Sequence, residues 1–251
     1  MQSINKQNKK VLGLLGRSLA HSFSRTYFLE KFANLGLSWD YQNFELQNIS
    51  ELPLVLATPN LLGFNVTIPY KQEIIPYLHV LSDDAEKVGA VNVVKLTSDG
   101  LMGYNTDIYG FSALIKPFLT SEHHRVLVLG KGGAARAVHY VFAQMGIDVF
   151  YATRNPQTQV DISYEDLQKV AVMAHFKCVV NTTPLGMYPE VDTFPLIAYQ
   201  AFDSSCLAVD LVYNPLQTEF LKRAAFYGAT VLSGKTMLLE QAEKAWEIWN
   251  L

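Results

Sequence analysis

The run Val126-Leu-Val-Leu-Gly130-Lys-Gly132-Gly133-Ala134-Ala135-Arg136, with an apolar stretch from residue 137 to 145 behind it, constrains the fold more than any other part of this chain. Aliphatic residues ending at a glycine read as a buried parallel strand. The glycines beyond it permit a tight turn that brings backbone N–H groups against a pyrophosphate. The helix that follows points its positive end at the same phosphate. Gly130, Gly132 and Ala135 take the three fingerprint positions, with Gly133 and Ala134 in the same turn, and the small Ala135 lets helix and strand pack closely. Glycine turns also cap ordinary βα units, so the next strand, Asp148 to Ala152, has to decide. NAD sites place a carboxylate at the far end of that strand. Here the only nearby acid, Asp148, sits at the near end, and the far end reads Thr153-Arg154-Asn155. A guanidinium there suits a 2′-phosphate, which favours NADP over NAD; the plainer alternative makes Arg154 a solvated loop residue.

With 251 residues and 49% hydrophobic content the chain is able to build one large or two modest domains. A net charge of −3, with Lys and Arg scattered, leaves no basic stripe, so nucleic acid is not an expected partner. No apolar run approaches the roughly 20 residues of a membrane span, and the start, Met1 to Lys10, is polar without the apolar core of a signal peptide. No membrane partner is expected and the location expected by default is cytoplasmic. Cys178 and Cys206 sit in apolar strand-like runs without spaced Cys or His partners. Both read as buried small hydrophobes, with no zinc site and no disulfide expected.

Strand patterns at Val11–Leu15, Asp40–Leu46, Gly63–Ile68 and Val91–Leu96 alternate with helical ones at Ser22–Leu35, Ile49–Thr58 and Asp83–Val88. A hairpin at Ser98-Asp99-Gly100 leads into a helix from about Asn105 to Leu119. From Val126 onward the βα pattern repeats, with strands at Asp148–Ala152, Cys178–Asn181, Leu207–Leu211 and Thr230–Leu232. A long amphipathic helix from Thr236 to Leu251 is expected to pack back on the first domain. The fold class is therefore α/β: an N-terminal α/β domain over residues 1–104, completed by 234–251, and a Rossmann-type doubly wound domain over 105–233. A cleft between two such domains commonly takes a small ligand.

Several polar groups in the first half are poor choices for stability alone. His21-Ser22-Phe23-Ser24 opens a helix with two alternate hydroxyls and free N–H groups, a ready carboxylate site, although one serine would serve equally as an N-cap. In Asn65-Val66-Thr67-Ile68-Pro69-Tyr70-Lys71 a strand runs into a proline-initiated helix. Lys71 falls in its first turn, opposed to the helix dipole, and so is a candidate for a lowered pKa and proton transfer. Asn92 lies in an apolar strand where an amide needs a partner. Asn105-Thr106-Asp107 opens the connector helix, where one of the two acidic or amide residues should be the cap.

Together with Gly13 to Ser24, Gly89-Ala-Val-Asn92, Gly103-x-Asn105-Thr-Asp107, Asn181-Thr-Thr183-Pro-Leu-Gly-Met187, Asp210-Leu-Val-Tyr213 and Gly234-Lys-Thr-Met-Leu-Leu-Glu-Gln241, these segments resemble the shikimate dehydrogenase family, in its order and over nearly the whole chain. The resemblance implies NADP-dependent, reversible reduction of 3-dehydroshikimate to shikimate. It places Ser22 and Ser24 on the substrate carboxylate with help from Tyr213, Asn65, Asn92, Asp107 and Gln241 on ring hydroxyls, and Thr67 along the same site. Lys71 and Asp107 become the catalytic pair. The Gly130–Ala135 turn and Thr153, Arg154 and Asn155 hold the cofactor, with Thr183, Leu211 and Gly234 toward its nicotinamide. No metal is implied, because a charged lysine is able to stabilise the developing alkoxide.

The pattern departs from the family at named places. Proline is common where Ser18 and Arg25 stand, and its loss should loosen the first loop. A second basic residue often follows Arg154 where this chain has Gln157 or Thr158. A quinate/shikimate dehydrogenase with relaxed cofactor use is the enzymatic alternative, and a non-catalytic ligand-binding relative is the other class. Retention of both Lys71 and Asp107 argues against the latter. The assembly is expected to be a monomer or a homodimer.

Overall fold

A computed structural model of the chain describes residues 9–19 and 22–250. Residues 1–8, Ala20, His21 and Leu251 lie outside the described residues. Two compact units result, Met1–Thr106 with Ala242–Leu251, and Asp107–Gln241. The sequence reading places the divides after residues 104 and 233.

The first unit runs β1 (Val11–Gly16), α1 (Phe23–Asn34), β2 (Asp40–Glu45), α2 (Leu52–Leu56), β3 (Leu61–Val66), α3 (Tyr70–Glu73), β4 (Val80–Leu81), α4 (Asp83–Val88), β5 (Val93–Thr97) and β6 (Gly100–Tyr104). Its sheet has the order β2-β1-β3-β5-β6-β4. β1 is parallel to both neighbours, while β5 is antiparallel to β3 and β6. All of β1 is buried, as its unbroken apolar run requires of a strand covered on both faces. Val11 and Leu15 enter one core with Phe64, Tyr70 and Ile74, and Leu12 and Leu14 enter the other with Phe28, Phe32 and Tyr41. That two-residue alternation is the pleat of a strand.

The second unit begins with α5 (Asp107–Ile115) and continues through β7 (Arg125–Leu129), α6 (Gly133–Gln144), β8 (Asp148–Thr153), β9 (Asp161–Ser163), α7 (Val170–Met173), β10 (Cys178–Asn181), β11 (Leu207–Asp210), α8 (Glu219–Phe226) and β12 (Thr230–Ser233). Its strand order, β12-β11-β10-β7-β8-β9, is parallel throughout. The chain winds outward from β7 in one direction and from β10 in the other, so the order reverses between these two strands. Leu127 and Leu129 face one core, and Val126 and Val128 the other. Cys178 and Cys206 are buried and unbridged. Among the described residues no helix is long and apolar enough to cross a membrane.

The last helix, α9 (Lys235–Asn250), is divided between the units rather than given wholly to the first. Met237 joins the core of the second unit, whereas Ala242, Ala245, Ile248 and Trp249 join Phe28 and Tyr41 in the first. Other differences from the sequence reading have local causes. The expected helix over 49–58 is a 3₁₀ turn at Ile49–Glu51 followed by the short α2, and α5 passes into a 3₁₀ turn at Lys116–Phe118, where Pro117 supplies no N–H. β3 ends at Val66: the Thr67 N–H still bonds the Leu15 carbonyl (2.9 Å), but the Thr67 carbonyl then accepts from the Tyr70 N–H (2.9 Å) as the chain turns into α3.

The indole N–H of Trp249 donates to the Val94 carbonyl at 3.0 Å in the interior, and the ring packs against Phe28. Trp249→Phe leaves that buried carbonyl short of a donor and should lower stability by about 1–3 kcal/mol. A urea titration followed by far-UV circular dichroism checks this, and an unchanged midpoint would contradict it.

Candidate active site

In open α/β sheets the polar loops that bind ligands gather at the carboxyl ends of strands, where the strand order reverses. β1 is that point in the first sheet, with β2 on one side and β3 on the other. Ser22 and Ser24 follow β1, Asn65 is the penultimate residue of β3, and Thr67 comes just after that strand.

Ser22 takes the position before α1, yet its side chain does not cap the helix. Its hydroxyl oxygen is buried without a hydrogen-bond partner among the described residues. Leaving such a group unsatisfied costs about 1–3 kcal/mol, so its placement favours an acceptor or donor that arrives with a ligand. The preceding loop is tied at Leu19. The Leu19 N–H donates to the Glu45 carboxylate at 2.6 Å, and its carbonyl accepts from the Asn43 amide at 3.1 Å. At this residue, then, two side chains of β2 hold the backbone that a proline at Ser18 was expected to stiffen.

Asn65 and Asn92 are both buried and are brought together. The Asn65 amide donates to the Asn92 carbonyl at 3.2 Å, and its oxygen accepts from the Tyr41 hydroxyl at 2.7 Å. The Asn92 side-chain oxygen accepts from the Thr106 N–H at 2.7 Å, which resolves how an amide is tolerated in an apolar strand. Tyr41 is the residue that sequence reasoning missed. It is wholly buried, stacks on Phe28 with centroids 4.8 Å apart, and has Ser24 as a second side-chain neighbour of its hydroxyl. Burial pushes its phenol well above the ordinary value, with Ser24 opposing the shift. The inward alternation of β2 was the available signal.

Lys71 is half-buried in α3, and the Val91 N–H bonds its carbonyl at 2.7 Å. α3 spans only four residues, so the dipole argument for this lysine is weak: a single turn sums few peptide dipoles. Asp107 is buried and is the first residue of α5, following Thr106. The Asn105 amide, two residues before it, donates to the Ala90 carbonyl at 2.9 Å.

The second unit carries the remaining candidates along the carboxyl edge of its sheet, except for Gln241, which lies on α9 and donates to the Leu238 carbonyl at 2.9 Å. Gly130 leaves β7 with φ +100°, a conformation that favours glycine, and a Cβ there would stand 3.1 Å from Thr182 and Thr183. α6 starts at Gly133 with no side-chain cap, and space is open at Gly132, so its first N–H groups fit a pyrophosphate. Ala135 is buried in the core under the helix, as close packing requires. Thr183 follows β10 and donates to the Asn181 side-chain oxygen at 2.6 Å. Gly234, after β12, lies directly on the Leu211 backbone, where a side chain would collide with the Leu211 carbonyl. Tyr213 is half-buried beyond β11. At the far end of β8, Thr153 accepts from the Asn155 N–H at 3.3 Å, and Arg154 is exposed.

Beneath this edge sits Asp210, fully buried at the end of β11. It accepts from Asn181 at 2.9 Å, the Val212 N–H at 3.0 Å and the Thr218 hydroxyl at 2.5 Å. It thereby joins the loops after β10 and β11 to α8. Burial outweighs these bonds and pushes its carboxyl up to about 6.

An all-parallel six-stranded sheet in this order, with a glycine turn at its reversal, places the second unit in the dinucleotide-binding class of doubly wound folds. The model of the shikimate dehydrogenase substrate-binding domain matches residues 14–94. Shikimate dehydrogenase (NADP(+)) of a Nostoc species is 36% identical over 261 residues, covering 96% of this chain and 90% of the relative. Among solved structures, shikimate dehydrogenase 1 from Peptoclostridium difficile superposes with a TM-score of 0.84 at 36% identity, covering 96% of this chain and 91% of that one. The Thermus thermophilus shikimate 5-dehydrogenase, solved with NADP(H) and shikimate, has a TM-score of 0.83 at 31% identity over 96% of this chain and 93% of its own. The chain belongs to the shikimate dehydrogenase family.

Asp210 generates a pH-dependent prediction. An unfolded aspartate titrates near 3.9, so between about pH 4 and 6 the native chain retains a proton that the unfolded chain has released. Its contribution to stability is present below pH 4 and lost as pH rises through about 6, by up to roughly 3 kcal/mol. Asp210→Asn, which is able to keep the hydrogen bonds with Thr218 reversed, should flatten this part of the profile. Urea midpoints measured from pH 4 to 7.5 on both proteins test it; parallel profiles would exclude Asp210 as the titrating group.

Proposed function

We propose that the chain is an NADP-dependent shikimate dehydrogenase that reversibly reduces 3-dehydroshikimate to shikimate in aromatic amino acid biosynthesis. The observation that carries this reading is the buried Ser22 hydroxyl, without a hydrogen-bond partner among the described residues, just before α1 and inside the segment matched by the substrate-binding domain. In this reading Ser22 and Ser24 grip the acid's carboxylate with help from Tyr213. Asn65, Asn92, Asp107 and Gln241 hold ring hydroxyls, and Thr67 lines the site. The Tyr41 hydroxyl fixes the Asn65 amide, so that its remaining N–H is aimed before the ring arrives. Gly130, Gly132, Gly133, Ala134 and Ala135 take the pyrophosphate, Thr153, Arg154 and Asn155 the 2′-phosphate end, and Thr183, Leu211 and Gly234 the nicotinamide end.

The nicotinamide, when bound, supplies or accepts the hydride. Lys71 carries the accompanying proton: its ammonium protonates the ring oxygen as the carbonyl becomes an alcohol, and its neutral amine takes that proton back in the reverse direction. Asp107 orients the hydroxyl beside the reacting oxygen and balances the lysine's charge. The protein works in the cytoplasm as a monomer or homodimer, on a small-molecule acid.

Nicotinamide absorbance assays with shikimate or quinate, each with NADP or NAD, test the assignment. Shikimate with NADP should be the best pair, with kcat/KM at least about ten-fold above that for quinate, whose extra hydroxyl beside the carboxylate has no room between the serines. Equal use of quinate would favour the broader quinate/shikimate enzyme. Lys71→Ala should lower kcat by about 10²–10⁴-fold with little change in cofactor binding; a near-normal kcat would remove it from the proton path. Arg154→Ala should raise the KM for NADP about ten- to a hundred-fold and spare NAD. Equal losses with both cofactors would make Arg154 a support for its loop.

A further inference from the structure

The loop after Arg154 lacks the second basic residue common in the family, yet a cation reaches it from elsewhere. Lys131 stands between the two glycines of the turn, and its ammonium lies 2.5 Å from an Asp161 carboxylate oxygen. On the way it passes over the Tyr151 ring, 5.3 Å from the centroid. Tyr151 is two residues before Thr153 on β8, so both side chains stand on one face of that strand. The other Asp161 oxygen accepts the Gln157 and Thr158 N–H groups, each at 3.0 Å. Lys131 therefore crosses the carboxyl end of β8 and lays its charge against the loop that carries Arg154.

We infer that Lys131 is a second cation for the 2′-phosphate of NADP, reaching it from the glycine turn where family members reach it from the loop after Arg154. A dinucleotide whose pyrophosphate rests on this turn puts its adenosine ribose at the far end of β8. The 2′-phosphate then enters between the turn and the loop, with Lys131 on one side and Arg154 on the other. The Asp161 carboxylate is fully covered and anchored by two backbone N–H groups, whereas the Lys131 side chain is 42% exposed. An ammonium has three donors. The ion pair with Asp161 leaves the ammonium partly exposed, with donors to spare for a phosphate. Asp161 thus holds the flexible stem in place beforehand, which lowers the ordering cost of binding. The 2′-hydroxyl of NAD offers no charge to this lysine, so its effect falls on the choice between the two cofactors.

This inference rests on the dinucleotide reading of the turn, and binding of adenosine fragments separates the two. Calorimetric titration of the full chain with 2′,5′-ADP and with 5′-AMP should show a clear preference for the former. Lys131→Ala should weaken 2′,5′-ADP by roughly ten-fold and leave 5′-AMP unchanged. Asp161→Asn removes the ion pair but keeps the cation, and should retain most of the preference, losing only what pre-ordering of the stem adds; Lys131→Arg should retain it as well. Equal losses in Lys131→Ala and Asp161→Asn would make the lysine a loop staple and overturn the inference, as would an undiminished preference in Lys131→Ala. Failure of the unmodified chain to bind either fragment would overturn the dinucleotide reading along with it.

Discussion

Parallel strand pairing is the constraint from which the rest of this structure follows. A parallel strand cannot be joined to its neighbour by a tight turn; each needs a crossover, and crossovers leave all carboxyl ends of the strands along one edge. In the second unit this gathers Gly130, Thr183, Leu211 and Gly234, which are scattered over more than a hundred positions of the sequence, at the ends of β7, β10, β11 and β12. In the first unit the same rule sets Ser22, Ser24, Asn65 and Thr67 at the ends of β1 and β3. The antiparallel hairpin of β5 and β6 extends that sheet without disturbing this edge.

A site at strand ends has to bury polar groups, and burial is costly unless each finds a partner. The chain meets this in two ways. Asn65, Asn92 and Asp210 are locked into local networks in which side chains bond the backbone of the next loop, so polarity also fixes geometry. Ser22 instead has no hydrogen-bond partner for its hydroxyl among the described residues. Networks such as Tyr41 with Asn65 raise the penalty for any misplaced neighbour, because low surrounding dielectric strengthens a satisfied bond and an unsatisfied one alike.

The fold was legible wherever hydrophobic period and backbone chemistry agreed. The aliphatic run into the Gly130 turn could hardly be anything but a buried strand, and β10 and β11 are apolar in the same way. Boundaries blurred where side chains compete with the ladder: the strand expected from Val91 begins at Val93, because Asn92 uses its amide to hold the Thr106 backbone. The short β4, β9 and α3 carry too few residues for any period to show. At the candidate site, motif residues could be nominated from the sequence. Supports such as Tyr41 and Asp210 could not, since their meaning lies in partners 24 and 29 residues distant.

The departures from the family pattern have a common physical form. Where a proline at Ser18 would have stiffened the first loop by restricting its unfolded states, the backbone of Leu19 is instead held on both its N–H and its carbonyl by Glu45 and Asn43. Where a second basic residue would have followed Arg154, the loop is pinned by Asp161 and met by Lys131 from the turn. In each case a side chain from a neighbouring strand or turn takes the place of the local constraint that the resemblance implies. Such a replacement requires only that the donor element already stand beside the loop, which parallel packing guarantees for β2 beside β1 and for the β7 turn beside β8. The strand order thus preserves the site through changes in the residues that stabilise it.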